Sequence, residues 1–321
     1  KEVKTNTVIC KFKKKDAQNE YFLAWTTTPW TLPSNVSLTV NPEVDYIKVA
    51  KDGEVYYLCQ DLANKVLGEG TYEVLETMKG KDLEYMEYEQ LMPFVEVEDK
   101  AFFVTCADYV TTEDGTGIVH TAPAFGEDDY NCGRKYKLPV VQPVDSNGKF
   151  TATPWEGHFV MEDGLDVEII KWLAAENKLF SKEKVAHNYP HCWRCKHPII
   201  YRATEQWFCS VEDFKEDAVR EIEKIKWIPG WGEGRIKNMV TDRSDWCISR
   251  QRLWGVPIPI FYCEECGEFH IDEQSVKAVS DLFRKEGSDA WWTHEAEEIL
   301  PKGIKCKKCG CEKFRKETDI M

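Results

Sequence analysis

The chain has 321 residues, with 42 Lys+Arg against 56 Asp+Glu for a formal net charge of −14, and 42% hydrophobic and 12% aromatic content. That length admits two or three units with cores of their own, and the apolar content excludes a disordered acidic chain. No apolar run approaches the ~18–20 residues needed to cross a bilayer, and Lys1-Glu-Val-Lys-Thr lacks the apolar core of a secretion signal, so a soluble cytoplasmic protein with no membrane partner is expected.

Short β-branched and aromatic runs at 7–12, 21–26, 37–40, 46–50, 55–58, 102–105 and 118–120 predict strands. Asp52-Gly53 between two of them predicts a tight hairpin, because both residues tolerate positive φ. Strands of this length and spacing predict a closed or barrel-like β domain. At 163–179 the period changes, and Ile169, Ile170, Leu173 and Ala174 predict an amphipathic helix. A second helix is predicted from a Ser210-Val-Glu-Asp213 cap, with Val211, Phe214, Ala218, Ile222 and Ile225 on one face, up to Pro229-Gly230. From Cys263 the composition turns Cys-, Lys- and Gly-rich around one helix at about 273–286. The expected fold class is α+β, a β-barrel-like domain with peripheral helices, then a helical segment and a small zinc-ribbon module. The divisions fall at 1–185, 186–257 and 258–321.

Charge is uneven. Residues 178–202 carry six Lys/Arg against one Glu and 302–316 carry seven against one, while 82–99 holds seven acids and no base. A polyanion can therefore meet a local face that the remaining surface repels.

Six of the thirteen cysteines form three Cys-x-x-Cys pairs, which is metal-ligand spacing rather than a disulfide framework. Cys263-Glu-Glu-Cys266-Gly and Cys306-Lys-Lys-Cys309-Gly give four thiolates in two turns, the pattern of a closed tetrahedral structural zinc site. Cys311 can replace Cys309 if the second turn is irregular. Cys10, Cys59, Cys106, Cys132, Cys209, Cys247 and Cys311 read mostly as small core residues. Cys192 and Cys195 form a pair with no fourth pair left in the chain to complete it.

Two segments carry chemistry. Trp25-Thr26-Thr27-Thr28-Pro29-Trp30-Thr31-Leu32-Pro33-Ser34-Asn35 has four threonines in six residues after a strand. Proline stops the ladder there, so hydroxyls and amides are free to face a ligand or simply end a strand edge. Gly115-Thr-Gly-Ile-Val-His120-Thr-Ala-Pro123-Ala-Phe-Gly126-Glu-Asp-Asp129 is a Gly-flanked strand ending in His120, followed by a loop that brings acids to Asp129. A lone histidine is more often a satisfied core residue than a catalyst, but a core role leaves the joint occurrence of the two segments unexplained.

The two segments resemble the editing domain of class I aminoacyl-tRNA synthetases, the insertion that hydrolyses wrongly charged tRNA. Thr28 followed by Pro-Trp-Thr-Leu-Pro, where leucyl and valyl relatives carry arginine, resembles the isoleucyl branch. His187-Asn-Tyr-Pro-His-Cys-Trp-Arg-Cys-Lys-His-Pro, Tyr201-Arg-Ala-Thr-Glu-Gln-Trp-Phe and Asp245-Trp-Cys-Ile-Ser-Arg-Gln-Arg-Leu-Trp-Gly-Val-Pro-Ile-Pro are similar to it as well. The resemblance implies a hydrolase for tRNA(Ile) mischarged with valine. In it Asp129 accepts the substrate α-ammonium and His120 limits side-chain space. Thr26, Thr27, Thr28 and Asn35 position the terminal adenosine, the ester and water, and Thr31 joins Asn35 among the substrate-binding residues. It also implies that Cys192 and Cys195 share zinc with a pair upstream of this chain. His187, His191 and His197 are the weaker substitutes, by their spacing.

The family's ATP-handling His-x-Gly-His and Lys-Met-Ser-Lys-Ser motifs do not occur, nor does a Gly-x-Ser-x-Gly nucleophile turn. The expectation is therefore an editing fragment without the activation site. ATP would serve only the full-length enzyme, which is expected to be a monomer. The alternative is a tRNA-binding zinc module without hydrolytic activity.

Overall fold

Alternation along the first strand sets the architecture of the N-terminal unit. In β1 (Glu2–Lys13) the side chains of Val8, Cys10 and Phe12 are buried at every second position. Its two edges pair antiparallel with β2 (Glu20–Thr26) and with a late strand, β9 (Leu179–Asn188). Besides β1, β2 pairs in parallel with β5 (Glu54–Cys59) and, at Trp25, with β8 (Val119–Thr121). β8 lies antiparallel to β3 (Ser37–Val40), which pairs with β7 (Phe103–Cys106). On the far side β5 makes a hairpin with β4 (Asp45–Lys51), which also pairs with β6 (Glu73–Lys79). The turn residues Asp52 and Gly53 have φ of 52° and 82°, as the hairpin requires.

The computed structural model describes residues 1–243, 245–252 and 254–321. Leu253, inside the motif that begins at Asp245, lies outside the described residues. The chain forms two compact units, Lys1–Ala203 and Thr204–Met321. Among the described residues the nine strands of the first unit make one sheet, ordered β6-β4-β5-β2-β8-β3-β7 with β1 and β9 branching from β2. Among the described residues no pairing joins β6 to β7. Of the closed or barrel-like arrangements predicted, the sheet takes the open one, a curled half-barrel, because β2 divides its hydrogen bonds among three partners instead of passing them round a ring.

β6 and β9 were not predicted. Neither shows a buried alternation, and five of the first six residues of β6 are exposed without interruption, so the period-two signal is absent. Helices α1 (Ala63–Leu67), α2 (Gly80–Leu83) and α3 (Glu127–Tyr136) cover the sheet's connections. α3 stands where the sequence predicts an acidic loop. Its acids Glu127, Asp128 and Asp129 fill the first turn, and Arg134 and Lys135 the last, each matching the helix dipole. α4 (Leu165–Ala175) is shorter than the predicted 163–179 and buries Leu165, Ile169, Ile170 and Leu173. It starts after Gly164, whose φ is 88°, and Asn177 at φ 54° turns the chain away beyond its end. The largest core of this unit centres on Phe12, Phe22, Leu38 and Phe150.

The second unit has two regions. Strands β10 (Phe208–Cys209) and β11 (Trp246–Cys247) flank α5 (Glu212–Glu223) and α6 (Trp231–Thr241). The predicted Ser210 cap does not form. Val211 stands at the cap position without a side-chain bond, and its N–H donates to Asp245 Oδ1 at 3.2 Å instead. Phe214 and Ile225 on the predicted buried face are each 53% exposed. The remainder is a sheet of β12 (Phe261–Cys263) between β13 (Phe269–His270) and β14 (Phe314–Lys316), with α7 (Glu273–Glu286), α8 (Ala290–Thr293) and α9 (Ala296–Ile299). α7 occupies the predicted 273–286, and Asp272 caps it by accepting from Ser275 N at 2.8 Å. Trp291 and Phe261 fill this core.

Cys10, Cys59, Cys106 and Cys132 are buried as predicted, but Cys209 is exposed and Cys247 and Cys311 are half-buried. Those three lie on or beside short strands with too little packed over them. Among the described residues no helix is long and apolar enough to cross a membrane.

Candidate active site and metal centre

β2 ends at Thr26, and Pro29–Ser34 follows as a 3-10 helix in which all six residues are buried. Pro29 suits the first turn, where its missing N–H costs nothing. β8 arrives from the other side through Gly115 and Gly117, both in left-handed φ. A Cβ on Gly117 would stand 2.3 Å from the Cys59 Cβ, and one on Gly115 2.9 Å from the Trp25 ring. Only glycine lets the chain run this close to β2 and β5. The β3–β8 register then sets His120 opposite Leu38.

There His120, 7% exposed, meets the 3-10 helix. Its Nε2 lies 2.8 Å from Thr31 Oγ1 and its Nδ1 3.2 Å from Asn35 Nδ2. The surroundings select one tautomer. Thr31 Oγ1 donates its only proton to the Thr28 carbonyl at 2.9 Å, so it accepts from His120 Nε2–H. Asn35 Nδ2 donates to the Ser37 carbonyl at 2.9 Å, which fixes the amide and makes Nδ1 the acceptor of its second proton. Asn35 Oδ1 accepts from the Tyr88 hydroxyl at 2.6 Å. The imidazole is therefore neutral with both nitrogens bonded, and burial alone lowers its pKa to about 4. Thr28 Oγ1 extends the network to Thr31 Oγ1 at 3.4 Å and Thr26 Oγ1 at 3.3 Å, and Thr28 N donates to Thr26 Oγ1 at 3.1 Å.

Of the predicted site residues, Thr26, Thr28, Thr31, Asn35 and His120 thus belong to one network. Thr27 is half-buried, and among the described residues its side chain has no hydrogen-bond partner. Asp129 stands apart from the network, in the first turn of α3, where its Oδ2 accepts from Ala122 N at 2.9 Å. Burial raises its pKa, opposed by the Ala122 N–H. Successive strand residues point to opposite faces, so Thr121 turns away from His120. Thr121 joins a buried hydroxyl ladder with Thr39 and Thr105.

Two residues escaped sequence reasoning. Tyr88 is fully buried inside the acidic 82–99 stretch, whose composition reads as solvated surface. The Tyr109 hydroxyl is buried without a hydrogen-bond partner among the described residues, and no motif marks it. Trp30 Nε1 and Ser34 Oγ on the 3-10 helix are unpartnered in the same way.

In the second unit the sulfurs of Cys263, Cys266, Cys306 and Cys309 all lie within 4.8 Å of one another. The pairs Cys263–Cys309 and Cys266–Cys306 are at 3.5 Å. A tetrahedral zinc with bonds of about 2.3 Å has sulfur–sulfur edges of about 3.8 Å, so the set fits that ion. The N–H of Cys266 leads in lowering the Cys263 thiol to about 6, and the N–H of Cys309 leads for Cys306, whose pKa is also lowered. Cys309 is in the set and Cys311 is not: its sulfur accepts from Lys313 N at 3.3 Å.

The turn at Cys192 and Cys195 repeats the backbone of the other two. The first cysteine's carbonyl accepts from Gly267 N at 3.0 Å, Gly310 N at 2.9 Å and Lys196 N at 2.9 Å in the three turns. These donors all have left-handed φ, at 69°, 79° and 63°. Among the described residues no third metal ligand joins Cys192 and Cys195. His187 bonds Thr5 at 2.9 Å and His191 the Tyr189 carbonyl at 2.8 Å.

Over residues 2–321 the chain matches the family described as tRNA synthetases class I (I, L, M and V). It is 51% identical over 315 residues to the isoleucine–tRNA ligase of Carboxydothermus hydrogenoformans, covering 96% of this chain and 33% of that protein. It is 50% identical over 313 residues to the isoleucine–tRNA ligase of Caldanaerobacter subterraneus subsp. tengcongensis, again covering 96% and 33%. The chain spans about a third of the length of these relatives. Among solved structures, the editing domain of the P. knowlesi cytosolic leucyl-tRNA synthetase is similar at 11% identity and a TM-score of 0.44, covering 57% of this chain and 96% of that one.

Proposed function

Because the chain belongs to the class I tRNA synthetases of the I, L, M and V group, we propose that it hydrolyses the ester between valine and an isoleucine-accepting tRNA. The observation that supports this best is the convergence of Thr26, Thr28, Thr31, Asn35 and His120 on one buried network beside the strand end that holds Asp129. The need for such a step follows from energetics. One methylene is worth only about 1–3 kcal/mol in an apolar pocket, isoleucine against valine being the type case, so a second and smaller pocket must sort the product.

An aminoacyl ester is already activated, so positioned water and donors aimed at the developing oxyanion suffice without a protein nucleophile. His120 is the wall of the pocket. Its proton is on Nε2 and bonded to Thr31, its Nδ1 lone pair is taken by Asn35, and its pKa of about 4 keeps it neutral, so it neither donates nor withdraws a proton at neutral pH. Thr31 and Asn35 act as positioning residues by holding that ring. Thr26, Thr27 and Thr28 place the ester and water. Asp129, with one oxygen fixed by Ala122 N–H, accepts hydrogen bonds from the substrate α-ammonium, a charge-assisted contact. It selects the class of substrate rather than its size.

Zn2+ is assigned to Cys263, Cys266, Cys306 and Cys309, where it supplies structure. The Cys192–Cys195 turn is half of a second site completed by thiolates outside this chain. Functionally we divide the chain into a hydrolytic domain spanning residues 1–185, a connecting segment at 186–257 and the zinc module at 258–321. ATP is assigned to a full-length enzyme and not to this chain.

The purified chain should deacylate Val-tRNA(Ile), spare Ile-tRNA(Ile) and form no isoleucyl-adenylate. A folded chain, checked by circular dichroism, that leaves Val-tRNA(Ile) intact at high concentration would overturn this reading in favour of a tRNA-binding zinc module, which tRNA affinity would then have to show.

A further inference from the structure

Tyr109 follows β7 on a loop fixed to the end of β3. Ala107 N donates to the Val40 carbonyl at 3.0 Å, and the Asn41 side chain donates to the Val110 carbonyl at 3.0 Å. The Tyr109 ring is half-buried, but its hydroxyl is fully buried and hydrogen-bonded to nothing among the described residues. A buried O–H without an acceptor costs free energy and calls for a reason. The polar groups near it are the Asp129 carboxylate, the hydroxyls of Thr39 and Thr121 and the Cys132 thiol. The threonines are already committed. Thr39 Oγ1 lies 2.9 Å from Thr105 Oγ1 and 2.5 Å from Thr121 Oγ1, and the Cys132 sulfur sits on the same ladder, 3.6 Å from Thr105 Oγ1. Asp129 has capacity to spare. Its Oδ2 accepts from Ala122 N, and its Oδ1 accepts from no group among the described residues, although an ionised carboxylate offers about four acceptor sites. On the Gly126 side it meets only backbone, where a Cβ would stand 3.3 Å from its Cγ, and Asp128 is the neighbouring charge.

Burial, together with the nearby Asp129 charge, pushes the Tyr109 phenol up, so it keeps its proton at any working pH and faces a carboxylate as a donor. We propose that Tyr109 is a positioning residue for Asp129: its hydroxyl donates to the carboxylate and holds it aimed while the substrate α-ammonium takes the remaining lone pairs. Tyr109 itself does not touch the substrate. The inference rests on the reading of Asp129 as the group that meets that ammonium.

Tyr109→Phe deletes the hydroxyl and keeps the ring. It is compared with Asp129→Asn and with the double variant in hydrolysis of Val-tRNA(Ile), after circular dichroism shows that each keeps the parent fold. Tyr109→Phe should raise KM about tenfold with kcat nearly unchanged, as loss of a charge-assisted contact at a binding group does. In the Asp129→Asn chain the same change should cost less than about twofold, because a residue that acts through Asp129 has nothing left to act on. Equal losses in both backgrounds, or a loss confined to kcat, would make Tyr109 a structural residue and overturn the proposal. An NMR titration of the Asp129 carboxyl, on chain grown with isotopically labelled aspartate, reads the contact without substrate. Removing a donor to the charged form should raise its midpoint in Tyr109→Phe, and an unmoved midpoint overturns the proposal whatever the kinetics. A parent chain inert on Val-tRNA(Ile) whose Asp129 midpoint still responds to Tyr109→Phe would sink the editing reading and leave the pairing of the two side chains standing.

Discussion

His120 is held by side chains from separate stretches of the chain, Thr31, Asn35 and, through Asn35, Tyr88. The four thiols come from two turns that each close within a few residues. The first arrangement depends on sheet register, burial and a particular tautomer. The second depends on local turns and, on the proposed reading, on the ion they hold. They should therefore fail under different perturbations, and separating the failures tests the comparison.

The largest effect should come from the cysteines. Structural zinc in small modules is worth about 10–16 kcal/mol at neutral pH, so Cys306→Ser should release the metal and abolish cooperative melting of the second unit's C-terminal module. Elemental analysis and hydrogen exchange report this, and hydrolysis by the first unit should stay largely unchanged. Parallel loss of hydrolysis would erase the contrast. Protons should act on the other region. The unfolded chain protonates His120 near pH 6.5 while the native chain refuses the proton down to about 4, so stability is lost as pH falls through that window. At about 1.4 kcal/mol for each pH unit of separation the loss is about 3 kcal/mol. Urea melts at pH 7 and pH 4.5 should show a smaller fall for His120→Gln than for the parent. Equal falls would remove His120 as the source.

Two substitutions sharpen the division of roles within the first region. If Asp129 pairs with the substrate α-ammonium as proposed, Asp129→Ala removes a charge-assisted contact of about 1.5–3 kcal/mol and should depress hydrolysis of every aminoacyl ester alike. His120→Ala should instead admit Ile-tRNA(Ile) by about tenfold or more while costing much less on Val-tRNA(Ile), at overpacking energies of about 1–3 kcal/mol. Rates on both esters with both variants, beside melting temperatures, separate the two. A folded His120→Ala chain that still spares Ile-tRNA(Ile) would refute the steric role. The smallest effect belongs to Tyr88→Phe, which leaves Asn35 Oδ1 without its donor and should cost about 1 kcal/mol of stability by denaturant melts.

What the sequence revealed follows the same contrast. The Cys-x-x-Cys-Gly spacing specified its turns because their chemistry is local, and α7 was predicted at 273–286 inside the Cys-, Lys- and Gly-rich module. The threonine segment was legible as a break after a strand, but its 3-10 helix was not, since two prolines and four threonines announce no period. The tautomer of His120 depends on Asn35 and Thr31, whose distances to it exist only once β3 and β8 are paired. Tyr88 and Tyr109 were hidden because their burial is imposed from elsewhere in the fold. The face of α5 was misjudged for the opposite reason: its periodicity is real, yet Phe214 and Ile225 remain exposed.

The pairing of β1 with β9 has a topological meaning. Glu2 and Asn188 are register partners, and Tyr189 N donates to the Lys1 carbonyl at 2.9 Å. A chain that runs in along β1 returns along β9 at neighbouring-strand spacing, about 4.8 Å. To a polypeptide attached at those two strands, everything between them is the tip of a hairpin. The loop-closure entropy that grows with the length of an excursion is absorbed by the sheet itself, so the number of residues between the two strands does not set the distance between their ends. Replacing the residues between them with a short turn becomes a change at two peptide bonds on neighbouring strands.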